Sequence, residues 1–314
     1  MTPPLSARRA MTPALIAAAA ETACLLEAHA PKPGNVSPGR GRPGLTYRDF
    51  VVSAAILGGV FRRGARRWRV GRLVHETIAG SRAQVGTNAH LGIVLLLAPL
   101  AKAALRGAGE GLRPRVRRVL EDLDVEDARR AYAAIRLSRP GGLGRVARED
   151  VHRAPRVTLL EAMRLAAGRD LVAREYATAY DSTFTIGLPA IEAARRRGAS
   201  LEQAILFAFL ELLAARPDTL VERRHGHGTA RRLQRDAAQV LKAGGPLRPL
   251  GRRLVERLDR RLRRSRPPIN PGASADVVAA SLFVWLLSGA EGASRRGGAA
   301  SRRRAAPGRR RSDR

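Results

Sequence analysis

The sequence predicts an all-α fold, a single multi-helix globular domain, on two observations. Hydrophobic residues fill 45% of the 314 positions while aromatics fill only 4%. The apolar content is therefore chiefly Ala and Leu, which are strong helix formers. Runs rich in Val, Ile, Thr and Tyr, the material of strands, are scarce. A chain of this length buries a substantial core. No low-complexity linker divides it, and no period of 20 to 50 residues marks a solenoid.

The elements follow in order. Residues 12–29 read as a first helix, with Thr12 as cap and Pro13 in the first turn, where proline is tolerated. The helix ends at Pro31. Residues 31–45 hold four prolines and four glycines and make a loop. Residues 47–58 and 71–82 show helical spacing, with a basic stretch at 62–72 between them, and residues 84–90 form a short polar connection. An apolar helix covers 91–105. Another spans 121–137 and is ended by Pro140, Gly141 and Gly142. A long amphipathic helix is expected over 158–179, then helices at 190–197, 201–215, 229–242, 250–264 and 276–288. The apolar runs 91–101 and 277–290 fall short of the roughly 20 residues a membrane span requires and read as core.

The formal charge is +31 with a pI near 11.8. Such a balance ordinarily points to a polyanionic partner, but its distribution is diffuse. Only Lys32, Lys102 and Lys242 are lysines, so 58 − 3 = 55 residues are arginine, spread over apparent helix surfaces. A coding bias toward Arg accounts for that as well as nucleic-acid binding does. Residues 1–293 read as the folded domain. Residues 294–314 carry nine Arg and one Asp among Gly, Ala, Ser and Pro, and read as a disordered tail able at most to tether weakly to polyanions. Cys24, the single cysteine, excludes an intramolecular disulfide and fits a reducing compartment. Arg8 and Arg9 before an apolar stretch resemble an export signal, yet Glu21 and Glu27 fall within the same helical pattern and argue against one.

No Walker loop, dinucleotide-binding glycine fingerprint, paired-Cys zinc motif or nucleophile elbow is present. His225-Gly226-His227 is a weak ligand pair with no obvious third partner. What remains is a set of polar loops between apolar helices. Lys32-Pro33-Gly34-Asn35 joins a cation to a tight turn that can present donors to phosphate. Asp218-Thr219-Leu220, with Arg223 and Arg224 one turn on, places an acid and a hydroxyl just past a helix, where a helix cap is the plain alternative. Asn270-Pro271-Gly272-Ala273-Ser274-Ala275-Asp276 precedes an apolar helix. Ser274 is a candidate cap there and Asp276 suits the first turn, and a helix start also receives phosphate well.

Taken in order, Lys32-Pro-Gly, Thr87-Asn88-Ala89-His90-Leu91-Gly92, Asp218-Thr219-Leu220 and Asn270-Pro-Gly-Ala-Ser-Ala-Asp276 resemble the motif series of the triphosphoribosyl-dephospho-CoA synthase family. Gly141-Gly142-Leu143-Gly144, Asp150-Val151 and residues 160–176 resemble a subgroup of it. The likeness runs from about Glu21 to Leu287. It implies an all-helical cytoplasmic transferase of cofactor biosynthesis, in which the 2′-hydroxyl of dephospho-CoA attacks the ribose C1′ of ATP and adenine leaves. It further implies magnesium on the triphosphate. Position by position, Lys32 would meet phosphate, Asn88 and His90 would line the nucleotide pocket, and Arg223 would add charge. Gly34, Asn35, Thr219, Asn270, Gly272 and Ser274 would complete the binding loops. Asp218 and Asp276 would serve as base or metal ligands, with Glu21 a further metal ligand. The chain departs from the pattern at Asn35-Val36-Ser37-Pro38, at Leu91 where many members carry Lys, and at Arg224-His225-Gly226 in place of Arg-Gly-Gly. Two other functions fit the same residues: an ATP-dependent phosphate-transferring enzyme, and a basic helical nucleic-acid-binding protein suggested by charge alone.

Overall fold

The computed structural model of the chain describes residues 11–87, 89–107 and 110–303, with 290–303 as backbone only. Among these residues there are fourteen α-helices and no strand beyond two isolated bridges, Ser37 with Arg40 and Arg42 with Leu45. The helices are α1 (Pro13–His29), α2 (Tyr47–Gly64), α3 (Val70–Val85), α4 (Leu91–Ala104), α5 (Leu112–Glu121), α6 (Val125–Ser138), α7 (Leu159–Ala166) and α8 (Leu171–Ala177). A π-helical turn at Thr183–Gly187 leads into α9 (Leu188–Arg196). Then follow α10 (Leu201–Ala215), α11 (Thr219–His225), α12 (His227–Lys242), α13 (Pro249–Arg264) and α14 (Gly272–Arg303).

Two apolar helices make the centre. In α4 every residue but Gly92 and Lys102 is buried. α14 packs on α1, α4, α8, α9, α10 and α11. Its segment Gly272–Gly289 has the length and composition of a membrane span, but 67% of it is buried within the bundle, where a core helix belongs. Pro99 inside α4 has no N–H, so the carbonyl of Leu95 loses its helical partner. The Tyr176 hydroxyl donates to that carbonyl at 2.7 Å and the Tyr180 hydroxyl to the carbonyl of Leu96 at 2.7 Å. Both tyrosines are buried, and the Tyr176 phenol satisfies the carbonyl that Pro99 strands.

The boundaries differ from the sequence expectation in instructive places. The helix expected over 158–179 is two helices. Gly168 lies in the break, and Asp170 then caps α8 by accepting from the Ala173 amide at 3.0 Å. The helix expected from 121 starts at Val125, because Asp124 and Asp127 form a reciprocal capping box, and α5 precedes it. α11 is a short helix where the sequence suggests a loop. α14 begins at Gly272, so Ser274 lies inside its first turn and does not cap it. Of the tail expected from 294, the backbone is helical as far as Arg303 and residues 304–314 lie outside the described residues.

Candidate functional site

Three of the motif segments, around Leu91, Leu220 and Asn270, meet at a cavity of about 810 Å³. Its walls are Leu91, Gly92 and Leu95 of α4, Tyr132 and Ile135 of α6 with Arg139 just past its end, and the glycine-rich segment from Pro140 to Val151. Asp170, Arg223 and Arg224, and the approach to α14 with Asn270, Ala273 and Asp276, close it.

The placement of Asp276 depends on how α14 is started. Asp218 caps α11, its Oδ1 accepting from the amides of Leu220 and Val221 at 3.0 Å each. Its Oδ2 accepts from the Ser274 amide at 2.7 Å and the Ser274 hydroxyl at 2.8 Å. One carboxylate thus ties together the first turns of two helices. It is fully buried, and all four donors belong to the protein. Burial pushes its pKa up against the pull of those hydrogen bonds. Gly272 lies so close to Leu220 that a Cβ would sit 2.8 Å from its Cδ2, which keeps α11 and α14 in tight register. Thr219 contributes likewise, its hydroxyl accepting from the Leu171 amide at 3.0 Å at the start of α8.

Asp276 itself is partly buried, lines the cavity and has no hydrogen-bond partner among the described residues. Its carboxyl packs on Gly92 so closely that a Cβ there would overlap it. Its pKa is raised well above the carboxylate range, first by burial and then by the charges of Glu27, Asp218 and Asp170, with Arg223 opposing. The amide oxygen of Asn270 is also buried without a partner, on the same wall. Arg223 donates to Asp170 at 2.6 Å while its Nε remains unpartnered.

Cations dominate the rest of the wall. Arg42, Arg139, Arg145, Arg148, Arg169, Arg223 and Arg224 line the cavity against Glu149, Asp150, Asp170 and Asp276. Asp150 is spent on the Val146 and His152 amides at 2.8 Å each, which hold its pKa down and shape the glycine-rich wall. Tyr132 donates to the Glu149 carbonyl at 3.0 Å, and burial pushes its phenol up to about 12. Gly141 and Gly142 lie flat on Arg224 and Arg223, which their lack of a Cβ permits. Burial and the nearby charges of Arg224 and Arg263 lower Arg42 to about 10.

The Lys32 loop lies behind this wall and has a structural role. The Lys32 ammonium is 1% exposed and pairs with Glu27 at 2.9 Å. It also donates to the carbonyl of Glu27 and, at 3.1 Å, to that of Ala30. It is turned inward and lines no part of the cavity, so the expected phosphate role does not fit this arrangement. Gly34 adopts φ +76 against the Ile269 carbonyl, where a side chain would be strained. Its amide donates to Asp259 at 2.8 Å. Asn35 is buried, with its carbonyl accepting from Arg263 at 2.6 Å. Arg42 completes the seam, donating to the carbonyls of Gly34, Pro268 and Ile269 at 2.7, 2.8 and 3.1 Å respectively.

Of the expected site residues, then, Asp276, Arg223 and Asn270 face one cavity. Asp218, Thr219, Gly272 and Ser274 build its floor from behind. Glu21 lies on α1 against Gly58 and forms no part of the cavity wall. His90 is 2% exposed, meets Phe50 edge-on at 5.0 Å and is pushed down to about 3 by burial, so it is a neutral ring in the core. Asn88 lies outside the described residues. Among the described residues no three His, Cys, Asp or Glu side chains are grouped to hold a metal, and His227 pairs with Glu222 at 2.7 Å on the surface. Sequence reasoning missed Tyr132 and the arginines of the 139–148 segment. The signal was available in Gly141-Gly142-Leu143-Gly144, a glycine cluster too dense for a plain helix stop.

Residues 13–295 match the family model described as ATP:dephospho-CoA triphosphoribosyl transferase. The chain belongs to that family. Among the transferase family's curated members it is similar to the 2-(5″-triphosphoribosyl)-3′-dephosphocoenzyme-A synthase of Klebsiella pneumoniae, 30% identical over 284 residues, which cover 85% of this chain and 93% of that one. A protein of Stutzerimonas stutzeri described as a probable synthase of the same name is 37% identical over 115 residues, 36% of this chain and 39% of that one. The fold is shared with a crystal structure described as that of a putative triphosphoribosyl-dephospho-CoA synthase from Archaeoglobus fulgidus. The TM-score is 0.59 at 24% identity, over 76% of this chain and 98% of the other.

Proposed function

We propose that the chain transfers the 5-triphosphoribosyl group of ATP to the 2′-hydroxyl of 3′-dephospho-CoA, releasing adenine. Family membership names the reaction class, and one observation in the site supports it. An unpartnered carboxyl, Asp276, shares a cavity with seven guanidiniums. In this reaction the hydroxyl oxygen bonds to ribose C1′, the bond from C1′ to adenine breaks, and its electron pair leaves with the base. A carboxylate must take the hydroxyl proton, and cations must hold phosphates that keep their charge throughout. Asp276 is the acid whose oxygens no protein donor occupies, so they are open to a substrate hydroxyl. Arg223 and Arg224, fixed beneath Gly141 and Gly142, are suited to phosphate oxygens. Asn270, with a free amide oxygen, is suited to a sugar hydroxyl or a base amino group.

Magnesium fits the donor set only in part. With no three-carboxylate cluster among the described residues, an ion would rest on Asp276 and on substrate phosphates, the usual arrangement for magnesium at nucleotide sites. Bound there, it would supply charge to the triphosphate. Asp218 acts in this reading as a positioning residue, its oxygens being committed to Leu220, Val221 and Ser274. A cytoplasmic location fits the single buried, free Cys24.

The test is incubation of the protein with ATP, magnesium and dephospho-CoA, following adenine and the coupled product by mass spectrometry. Adenine with a matching adduct, absent with Asp276→Asn, is the expected outcome. ADP in place of adenine would overturn it in favour of phosphate transfer.

A further inference from the structure

A second cavity, about 400 Å³, is formed by His75 and Arg82 of α3 with Ala133, Arg136, Leu137 and Arg139 at the end of α6. Arg139 lines both cavities. No acid is among the lining residues of the smaller one. Its cations are weakly committed. Arg82 gives one N–H to the Gly86 carbonyl, Arg136 gives one to the Val151 carbonyl at 2.6 Å, and the Arg139 side chain has no hydrogen bond or ion pair among the described residues. The Nδ1 of His75 is buried without a hydrogen bond, with Glu76 3.9 Å away. Three guanidiniums around one hollow whose lining holds no acid repel one another unless an anion joins them. Guanidinium forks match phosphate oxygens in pairs, and three of them exceed what a single monoanion needs.

We propose that this smaller cavity is a second anion site, one that takes a diphosphate group. Two sources supply that chemistry. One is the diphosphate arm of the acceptor, reaching over Arg139 from the large cavity; this source rests on the transferase reading. The other is a free inorganic diphosphate, which does not. The left-handed backbone of Arg139 (φ 47) ends α6 and opens the glycine-rich wall, so a ligand held here is one residue from the reacting chamber.

The test uses the full chain and inorganic pyrophosphate, titrated calorimetrically at fixed ionic strength. Two classes of site are expected in the wild type. Arg223→Ser should weaken one class, and Arg82→Ser with Arg136→Ser should weaken the other by about a hundredfold, roughly tenfold for each guanidinium removed. Arg136→Gln alone, at an exposed side chain, should cost about tenfold and covers the case in which the double variant does not fold. An unchanged isotherm in Arg136→Gln and in a folded double variant would overturn the proposal. Competition separates the sources. Displacement by dephospho-CoA, with a raised KM for dephospho-CoA and not for ATP in Arg136→Gln, assigns the acceptor arm; retention of pyrophosphate in the presence of dephospho-CoA assigns the free anion. A protein that releases no adenine yet binds pyrophosphate in the small cavity would sink the transferase reading and leave this one standing.

Discussion

Asp218 and Asp276 are both aspartates of short polar motifs beside apolar helices, yet the structure predicts opposite consequences for removing them. In Asp218→Ala, α11 loses its cap, which costs about 1 kcal/mol. The Ser274 amide and hydroxyl, both buried, are left without an acceptor, at about 1–3 kcal/mol each where no water reaches them. Removing a carboxylate whose burial is itself unfavourable gives some of that back. The net is a destabilisation of about 3–5 kcal/mol, a large share of the roughly 5–15 kcal/mol that holds a domain folded. Asp218→Asn should fall between: its oxygen can serve one pair of donors, but its NH₂ must then face the other. Urea unfolding followed by far-UV circular dichroism reads this directly, as a lower midpoint at unchanged slope. If Asp218→Ala keeps the wild-type midpoint and abolishes activity, the clamp is wrong and Asp218 belongs to the chemistry.

Three further outcomes are expected. Asp276→Asn should abolish adenine release while raising the urea midpoint at neutral pH; because the folded pKa of Asp276 is raised, its stabilising contribution is complete below about pH 3.9 and is lost as pH rises through the folded value, a loss the amide does not suffer. Lys32→Met strands the buried carboxylate of Glu27 and should cost about 3–5 kcal/mol, largely recovered when Glu27→Gln is added, as read by the same unfolding assay. Tyr176→Phe leaves the Leu95 carbonyl beside Pro99 without a donor and should cost about 1–3 kcal/mol, with little effect on the KM for ATP.

The fold was legible because apolar helices announce themselves by composition. α4 and the core of α14 read as buried at once, and the capped start of α1 at Thr12 is where the sequence puts it. The breaks were harder to see. Asp170 caps α8 through a local bond to the Ala173 amide, but what fixes α8 in place is distant: Arg223 of α11 pairs with Asp170, and the Thr219 hydroxyl accepts from the Leu171 amide. The site was legible as a set of motifs but not as a division of labour. A Lys-Pro-Gly loop with a cation reads as a phosphate loop. The fold instead brings Glu27, near the end of α1, back to Lys32. Likewise Asp218 and Asp276 look alike in sequence because their difference lies in what surrounds them: four donors for one, a cavity and three other acids for the other.

That contrast also explains how so basic a chain can build an acid-centred site. Fifty-five arginines over a helical surface would be mere solvation if they were all free. Several instead act as struts. Arg42 ties the Gly34 loop to the approach to α14 through three carbonyls, Arg263 holds Asn35 and Asp259, and Arg69 joins α3 to Asp127 of α6 at 2.7 Å. Loops fastened by guanidiniums to backbone carbonyls need no apolar core of their own, so polar walls can surround the large cavity and remain fixed. The arginines left over at the cavity rim, Arg139, Arg145 and Arg148, make no side-chain hydrogen bond or ion pair among the described residues and are free to meet a phosphate. Asp276 sits at the opposite extreme, the one acid of that chamber without a donor. In the proposed reaction, a charged ligand entering the cavity would meet the cations at the rim before its sugar reaches the unpartnered carboxyl of Asp276, an order that would orient the polyphosphate first.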